Sequence, residues 1–410
     1  MTNTDARQLS GPALAQALQD ARTRTWALVS DLNDAQWLPP PQNGVNPVAW
    51  ELGHLAWFAE FWVLRGPHHR TSAGLAEAAQ PPRFAGPDAH LDSARLAHSS
   101  RWKTPLPSRS AVQTMLDGQL AACVDAIPDV EALSPAQADQ ALYLHRLALF
   151  HEDMHAEAFC WTRAALGYPV PPDLQAAFGH GLPVHPPGHT LQIPGAKLQT
   201  GVSASHPGFA FDNEFPSQAI ELPAFEIDSH PVSSLQFKQF VAAGGYQSPD
   251  FWPGDAGIWL AQQGLKHPGH WRQDPAKRDP GAWQIRWFDQ WLPLLDAAPA
   301  IHLNAFEAEA WCLWADRRLP SAAQWELAAT TEPGFSWGRS VWEWTASTFA
   351  PYPGFAPGPY QEYSQPWFGN HRELRGGAFA THARMHNPRY RNFFLPQRSD
   401  IFSGFRTIAP

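Results

Sequence analysis

The feature that most constrains the fold of this chain is a single change in sequence character near residue 168. From residue 11 to about residue 167, apolar residues recur at intervals of three and four, which is the period of amphipathic helices. The passage that follows, YPVPPDLQAAFGHGLPVHPPGH, ends that period with prolines and glycines. We therefore predict two domains, residues 1–175 and residues 176–410, with an interdomain linker beginning at the change.

The first domain is predicted to be a bundle of four long helices. Their periodic segments are GPALAQALQDARTRTWALVSDL, NPVAWELGHLAWFAEFWVLR, AVQTMLDGQLAACVDAI and ADQALYLHRLALFHEDMHAEAFCWTRAAL. A polar stretch from about Gly66 to Ser108 separates the second helix from the third. It is longer than an ordinary loop, so we expect it to have a function.

The second domain is predicted to be α+β and rich in loops. Its short apolar segments are separated by Gly, Pro, Asn and Asp, with helical patterns mainly around AFEAEAWCLWADR and SAAQWELAAT. The chain contains 44% hydrophobic residues, including 20 Trp and 24 Phe, which is enough apolar surface for a folded core in each domain.

Composition narrows the possible partners to small molecules. Charged residues make up 16% of the chain, the formal net charge is -9, and no run of Lys or Arg occurs. This argues against a surface for nucleic acid or an anionic membrane. The first residues lack a basic segment followed by an apolar one, and no apolar run approaches 18 residues, so we expect a cytoplasmic location.

A histidine pair in the last helical segment predicts a metal site. His151 and His155 are four residues apart, so both imidazoles project from one helix face and can bind one ion. A third ligand must come from another helix, and His54 is the best candidate because it lies mid-helix among apolar neighbours. Glu157 is a candidate for orienting one of these rings, although a solvated helix-face charge is an equal alternative.

Two other classes of function remain open at this point. The string from His151 to His155 also satisfies H-E-x-x-H, in which Glu152 would be the general base of a zinc peptidase. Ala158 and Trp161 stand where the extended metzincin motif needs Gly and His, so that version fails. The third class is a non-catalytic binding module, in which the histidines only stabilise the bundle.

Several strings in the second half resemble one known family. They are FAFDNEFP at 209–216, GGYQSPDFW at 244–252, RRLPSAAQWELAA at 317–329, VWEWTAS at 341–347, LRGGAFAT at 374–381 and YRNFFLPQRSDIFSGFR at 390–406. They resemble the formylglycine-generating-enzyme-like domain, a C-type-lectin-like α+β fold, as it occurs in ergothioneine-pathway sulfoxide synthases. The first half is similar to their DinB-like helical bundle, whose histidines correspond to His54, His151 and His155.

The resemblance implies a specific chemistry. It implies that the three histidines bind non-haem iron(II), that O2 is a co-substrate, and that the substrate is hercynine, the trimethylammonium betaine of histidine, which is modified at imidazole C2. Three neutral ligands leave coordination positions open on one face of the metal. Formylglycine-generating enzymes instead use a cysteine pair. The second half contains only Cys312, so their chemistry is not expected.

Departures from the family pattern bear on the second substrate. Met154 replaces the glutamine that sulfur-inserting relatives have beside the substrate. Phe393-Phe394 follows Arg391-Asn392 where relatives using γ-glutamylcysteine have Trp-Asp. The segment LDSARLAHSSRWKTPLP at 91–107 resembles selenoneine synthases, which join a selenosugar to hercynine. The resemblance therefore favours a selenosugar donor, with an ergothioneine-type enzyme that joins cysteine or another thiol as the alternative.

Further site residues follow from the same resemblance. Asn392, Phe393 and Phe394 correspond to residues that approach substrate in the cleft between the domains, and Met154 would contact the imidazole. Arg101 and Arg398 are candidates for binding a carboxylate or sugar oxygens. Tyr352 is a candidate proton donor, because reducing an oxygen species requires protons.

Overall fold

The computed structural model describes residues 6–279 and 281–410, which divide into two compact units. The first comprises residues up to Ala176 together with Ser205–Phe209, and the second comprises Ala177–Ala204 and Ala210–Pro410. The first is helical and the second combines helices with small sheets. The predicted fold class, a helical bundle followed by an α+β domain, is confirmed. No helix in these two ranges has the length and hydropathy to cross a membrane.

From Gly11 onwards, the described part of the helical unit contains four long helices and three short ones. The long helices are α1 (Gly11–Ala27), α3 (Val48–Ala59), α5 (Arg109–Asp125) and α6 (Pro135–Leu166); the short ones are α2 (Asp34–Trp37), α4 (Asp88–Leu91) and α7 (Pro172–Phe178), the last of which runs into the second unit. Helix α1 packs against α5 and α6, and α3 packs against the same two helices. Leucines and alanines of α1 and α6 form one apolar cluster of this bundle.

Helix α6 is bounded by strong local signals. The Gln137 side chain accepts a hydrogen bond from the Ser134 backbone N–H at 3.1 Å, and Pro135 occupies the first turn. At the other end Gly167 adopts a left-handed conformation, with φ 67°, and the Tyr168 N–H bonds the Arg163 carbonyl at 2.8 Å. The long helix that carries His151 and His155 is therefore fixed at both ends by its own sequence.

Helix α3 is buried on all sides. Every residue from Val48 to Ala59 is buried, and Glu51 and His54 are its only ionisable residues. Buried ionisable groups need partners within the protein, so both must be bonded to neighbouring elements. The helix continues as one π-helical turn at Glu60–Leu64.

The connection between α3 and α5 is ordered rather than extended. Strand β1 (His68–Arg70) pairs antiparallel with β2 (Ala76–Ala78), and α4 follows. The buried Glu60 carboxylate accepts backbone N–H groups of Arg83, Phe84 and Ala85, which binds the segment before α4 to the end of α3.

Five residues from the second half of the sequence belong to the helical unit, which the single boundary predicted near residue 175 does not anticipate. The Phe209 ring stacks on Phe150 of α6 at 4.9 Å between centroids, and the Gly208 N–H donates to the Asp139 carboxylate at 2.9 Å. The Phe209 N–H also donates to the Arg7 carbonyl at 2.8 Å. An aromatic ring and backbone hydrogen bonds thus attach Ser205–Phe209 to the bundle.

The described residues of the second unit form small sheets and four helices. Its strands are β3 (Thr190–Ile193), β4 (Ala196–Thr200), β5 (Gln218–Leu222), β6 (Phe225–Asp228), β7 (Trp271–Gln273), β8 (Trp283–Trp287), β9 (Gln290–Pro293), β10 (Trp342–Thr348), β11 (Arg372–Arg375), β12 (Asn392–Phe394) and β13 (Ser403–Phe405). Its helices are α8 (Ser234–Ala242), α9 (Asp255–Gln263), α10 (Ala305–Trp314) and α11 (Ala322–Thr331). The largest sheet is four-stranded, in the order β12-β11-β10-β13, with β10 and β13 parallel and the other pairs antiparallel.

Buried ion pairs cross the core of this unit. The Glu373 carboxylate binds both Arg391, at 2.9 Å, and Arg375, at 2.7 Å, and Arg375 also reaches Glu326 at 3.2 Å. The two arginines beside Glu373 hold the pKa of its carboxyl below the usual value despite burial. Several arginines of the second half are therefore already paired within their own domain.

Candidate metal centre

Three imidazoles from two helices converge inside the helical unit. His54 of α3 and His151 and His155 of α6 each offer a ring nitrogen, and these nitrogens lie within 4.8 Å of one another. The ring centroids are 5.2 Å apart for His54 and His151, 5.1 Å for His54 and His155, and 4.5 Å for the pair on α6. The structure thus brings together the three histidines that the sequence spacing selects.

Hydrogen bonds fix the orientation of two of these rings. His54 Nδ1 lies 2.7 Å from the carbonyl oxygen of Leu91, and His155 Nδ1 lies 2.7 Å from a carboxylate oxygen of Glu51. An Nδ1–H donated in this way leaves Nε2 as the nitrogen with a lone pair for a metal.

Aromatic side chains enclose the histidines. Phe58 stacks on His151 with centroids 3.5 Å apart and planes 4° apart, and Trp50 stacks on His54 at 5.1 Å and 9°. Trp57 stacks on the His54 ring at 5.5 Å. These rings restrict the rotation of the imidazoles and exclude water from their faces.

Burial and the neighbouring His155 favour the neutral forms of His54 and His151. Burial lowers the pKa of His54 and of His151 well below the usual value, and the charge of His155 beside them lowers it further. A neutral imidazole is the form that binds a metal. The side chain of His155 is 21% exposed, whereas His54 and His151 are almost wholly buried, so the cluster is open towards solvent beside His155.

The donor set fits one transition-metal ion. Three nitrogens bound at about 2.1 Å to one ion can be at most about 3.6 Å from one another, so nitrogens that lie within 4.8 Å need to close by up to about 1 Å to bind a common ion. Three neutral imidazoles suit iron, zinc, copper or nickel and leave further positions open for other ligands. Among the described residues no second group of three or more such side chains meets the same spacing.

Glu152 is engaged away from this cluster. Its carboxylate binds Arg22 of α1 at 2.7 and 3.1 Å and accepts the Thr25 hydroxyl at 3.1 Å. Both charged side chains are buried. A zinc peptidase would need this carboxylate beside a metal-bound water, so its pairing with Arg22 counts against that alternative.

Two other predicted residues lie in the helical unit with the histidines. Met154 is half-buried and lies between His151 and His155 on α6. The Arg101 guanidinium lies over the Trp50 ring, 3.9 Å from its centroid, and donates to the Asn46 side-chain oxygen at 2.6 Å. Arg101 is thus part of the stack that ends on His54.

Tyr352 lies in the second unit, within the buried ion network. Its hydroxyl is 3.3 Å from Thr200 Oγ1 and 3.5 Å from an Arg375 nitrogen, and Arg391 lies over its ring at 4.1 Å. Burial raises the pKa of the Tyr352 hydroxyl. Its role as a proton donor stays a prediction.

The remaining predicted residues lie on and after β12. Phe393 stacks on the buried Phe349 with centroids 4.0 Å apart. The Arg398 guanidinium binds Asp400 at 2.5 and 2.9 Å and lies 4.7 Å from the centre of the Phe394 ring. Asn392 begins the strand and pairs with Leu374 of β11. These contacts stabilise the sheet, and substrate binding by the four residues stays a prediction.

Glu51, which bonds His155, was not predicted from the sequence as a site residue. The signal was present, because Glu51 is three residues before His54 in an otherwise apolar helix and needs a buried partner of its own. The sequence pointed instead to Glu157, whose side chain is also buried. The Leu91 carbonyl, a backbone atom of the connection, has no signature in the sequence.

Comparison with known proteins covers almost the whole chain. The DinB superfamily model matches residues 17–159, and the model of the Sulfatase-modifying factor enzyme 1-like domain matches residues 180–340 and 337–410. The hercynine oxygenase of Mycolicibacterium thermoresistibile is 30% identical, with 96% of this chain and 94% of the relative covered. The hercynine oxygenase of Mycobacterium tuberculosis is 29% identical, with 96% and 97% covered.

A formylglycine-generating enzyme of Mycobacterium tuberculosis is also similar, at 29% identity, but over only 36% of this chain and 54% of that protein. The matches that span nearly the whole chain are therefore with hercynine oxygenases. The chain belongs to the superfamily of the ergothioneine pathway, in which a DinB-like helical domain precedes a sulfatase-modifying-factor-like domain.

Proposed function

We propose that this protein is a non-haem iron(II), O2-dependent enzyme that acts on the imidazole ring of hercynine. The observation that carries the proposal is the cluster of His54, His151 and His155, inside a chain that matches hercynine oxygenases over nearly its full length. The donor set alone admits several metals. The similarity to oxygenases favours iron(II), which supplies the centre at which O2 is reduced.

The protein's own residues hold and shield this centre. The three imidazoles bind as neutral ligands, Glu51 and the Leu91 carbonyl fix two of the rings, and Phe58 packs on the third. The exposed edge of His155 marks the side from which substrates enter. With only three protein ligands, a bound iron(II) would keep coordination positions free for the substrates and O2.

We propose a selenosugar as the second substrate, so that the protein is a selenoneine synthase. The reaction joins the imidazole C2–H and a selenol Se–H with O2. It forms the C–Se bond, places one oxygen on selenium and releases the other as water with the two hydrogens, so O2 accepts four electrons. The support is the segment at 91–107 and the Phe393-Phe394 pair in place of Trp-Asp.

The second candidate is an ergothioneine-type enzyme that joins cysteine or another thiol to the same carbon. The name shared by the full-length relatives, hercynine oxygenase, specifies the substrate and is equally compatible with this donor, because it leaves the chalcogen open. Both candidates use the same three histidines and differ only in the donor.

Product analysis tests the proposal. Protein loaded with iron(II) without oxygen is given hercynine and O2 with one of four donors: a selenosugar, its thiosugar analogue, cysteine or γ-glutamylcysteine. We expect a selenium adduct of hercynine by mass spectrometry with the selenosugar alone. Adducts with cysteine or γ-glutamylcysteine would replace our donor assignment with the ergothioneine type.

His151→Ala is the matched metal control. Removing one of three ligands should abolish coupling and weaken iron binding while circular dichroism shows a folded bundle. Coupling that survives in a His54→Ala/His151→Ala/His155→Ala triple variant would exclude the metal-dependent function and favour a binding or structural role for the histidines.

A further inference from the structure

We propose that the connection between α3 and α5 positions the metal ligands. Arg101 of the connection acts on His155 through Asn46 and Glu51, and all three are positioning residues. The inference rests on the metal site proposed above and adds to it the residues that hold the site in shape. It also gives Arg101 a role other than binding the second substrate. Two separate sets of contacts support it.

The first set joins α3 to α4. The ring nitrogens of Trp50, His54 and Trp57, which lie along one stripe of α3, bond the His90 carbonyl, the Leu91 carbonyl and the Asp88 carboxylate at 2.8, 2.7 and 2.8 Å. Each bond ends on α4, a single turn of the connection. The orientation of His54 is therefore set by the position of that turn.

A glycine permits this close approach. A Cβ on Gly53 would lie 3.1 Å from a methyl carbon of Leu91, so a larger residue would press on the Leu91 side chain of this turn. Arg65 binds the other end of α4 through a bidentate ion pair with Asp88, at 2.6 and 3.0 Å. The turn is thus fixed to α3 from both sides.

The second set is a chain of polar contacts that starts at His155. Glu51 binds His155 with one carboxylate oxygen, and Asn46 donates to the other at 3.3 Å. The Asn46 side-chain oxygen in turn accepts from Arg101 of the connection at 2.6 Å. One guanidinium in the connection is therefore linked through two side chains to a predicted metal ligand.

Stacking also connects Arg101 to His54. Arg101 lies on Trp50, and Trp50 lies on His54, so the same guanidinium contacts the surroundings of a second ligand. Residues that bond metal-binding imidazoles typically change metal affinity about 10- to 100-fold when they are removed. We therefore expect the connection to act on metal binding through both His54 and His155.

Metal affinity measured without turnover tests the inference. Fe²⁺ and Co²⁺ are titrated against a chelator of known affinity into the full chain and into Glu51→Gln, Asn46→Ala and Arg101→Ala, and the visible spectrum of bound Co²⁺ is recorded. Arg70→Ala is the matched control, because this arginine of the same connection bonds the Gly74 carbonyl in the β1–β2 turn.

We expect Glu51→Gln to weaken metal binding about 10- to 100-fold and to shift the Co²⁺ spectrum. Asn46→Ala and Arg101→Ala should weaken binding in the same direction, and Arg70→Ala should match the unmodified protein. Asn46 is half-buried, so Asn46→Ala serves as the test should Glu51→Gln fail to fold.

Three results would overturn the inference in whole or in part, and they are distinguishable. Equal metal affinity and equal Co²⁺ spectra in all variants would remove the positioning role and leave the metal site standing. If Arg101→Ala raises the KM for the second substrate and leaves metal affinity unchanged, Arg101 has no positioning role. A folded, unmodified protein that binds neither ion would exclude the metal site itself, and the inference with it.

Discussion

At the scale of single residues, two buried glutamates near the histidines have opposite roles. Glu51 bonds His155, whereas Glu152, although adjacent to His151 in sequence, bonds Arg22 and Thr25. Successive residues of a helix point in different directions, so a neighbour in sequence need not be a neighbour in space. The H-E-x-x-H string therefore combines two predicted metal ligands, His151 and His155, with a glutamate that forms an ion pair with Arg22.

This distinction makes Glu152→Gln a test of stability rather than of catalysis. The substitution leaves the Arg22 charge buried opposite a neutral side chain, which we expect to cost about 3 kcal/mol in the free energy of unfolding. Metal affinity and coupling activity per folded molecule should change little. Urea unfolding and iron titration measure the two quantities.

The double variant Arg22→Met/Glu152→Leu is the control, because it replaces both charges with apolar side chains of similar size. It should recover much of the lost stability. A Glu152→Gln protein with normal stability but no activity would contradict the structural role and return the general-base interpretation.

At the scale of elements, the contact of α3 with α4 depends on the absence of a side chain at Gly53. Alanine is the better helix former by about 1 kcal/mol, so Gly53→Ala is expected to be neutral or stabilising for the helix. The new Cβ must nevertheless displace Leu91, whose carbonyl holds His54. Helix stability and metal affinity should therefore change in different directions.

We predict that Gly53→Ala weakens Co²⁺ binding without lowering the thermal unfolding midpoint by more than a few degrees. Leu91→Ala in the same chain removes the methyl groups that collide with the new Cβ and leaves the backbone carbonyl in place. The double variant should bind Co²⁺ more tightly than Gly53→Ala alone. If it does not, the Leu91 side chain is not what transmits the effect.

The end of α6 offers a second prediction at this scale. Gly167 has φ 67°, a conformation that costs a residue with a Cβ about 1 kcal/mol. Gly167→Ala should lower the free energy of unfolding by about that amount, and Gly167→Asn by less, because asparagine tolerates left-handed backbone. Equal losses in both variants would show that the backbone angle is not the cause. Chemical denaturation followed by circular dichroism gives the values.

At the scale of the whole molecule, buried titratable groups of the second unit limit stability at both higher and lower pH. Burial raises the pKa of Glu307, which accepts the Tyr246 hydroxyl at 2.6 Å, from 4.5 to about 7. The pKa of His302, which stacks on His270 at 4.1 Å, is lowered by burial from 6.5 to about 4. Each group is held in its neutral form by the fold.

The signs of the two contributions are opposite. The contribution of Glu307 is fully present below pH 4.5 and is lost as the pH rises through about 7, whereas that of His302 is present above pH 6.5 and is lost as the pH falls towards about 4. Stability of this unit should therefore pass through a maximum in mildly acidic solution.

Glu307→Gln isolates the first of these effects. The variant stays neutral at every pH, so we expect it to exceed the unmodified protein in stability by up to about 3 kcal/mol at pH 8 and to gain much less at pH 5. Thermal unfolding at the two pH values provides the comparison. An equal difference at both would mean that Glu307 does not titrate in this range.

The sequence predicted what depends on local periodicity. The long helices around His54 and His151 follow from the spacing of apolar residues, and the spacing of four between His151 and His155 places them on one helix face. Motifs distributed along the chain predicted a DinB-like half and a lectin-like half. The family models and the full-length similarity to hercynine oxygenases support this prediction.

What the sequence did not predict depends on contacts between distant residues. The bond from Glu51 to His155 joins positions 104 residues apart, and the His54 contact is to a backbone carbonyl, which any residue could supply. The pairing of Glu152 with Arg22 crosses from α6 to α1. Side-chain chemistry alone does not rank such partners, because each charged residue has several possible ones.

The short segment Ser205–Phe209 has a consequence for how this protein could have been assembled in evolution. Phe209 packs on Phe150, and the Gly208 N–H donates to Asp139. The helical unit is therefore completed by residues that follow β3 and β4 of the second unit in the sequence. A gene fragment that stopped at Ala176 would encode a bundle with an uncovered Phe150. Recombination at this boundary would therefore transfer a helical unit without Ser205–Phe209. We expect the two halves of the gene to be inherited together.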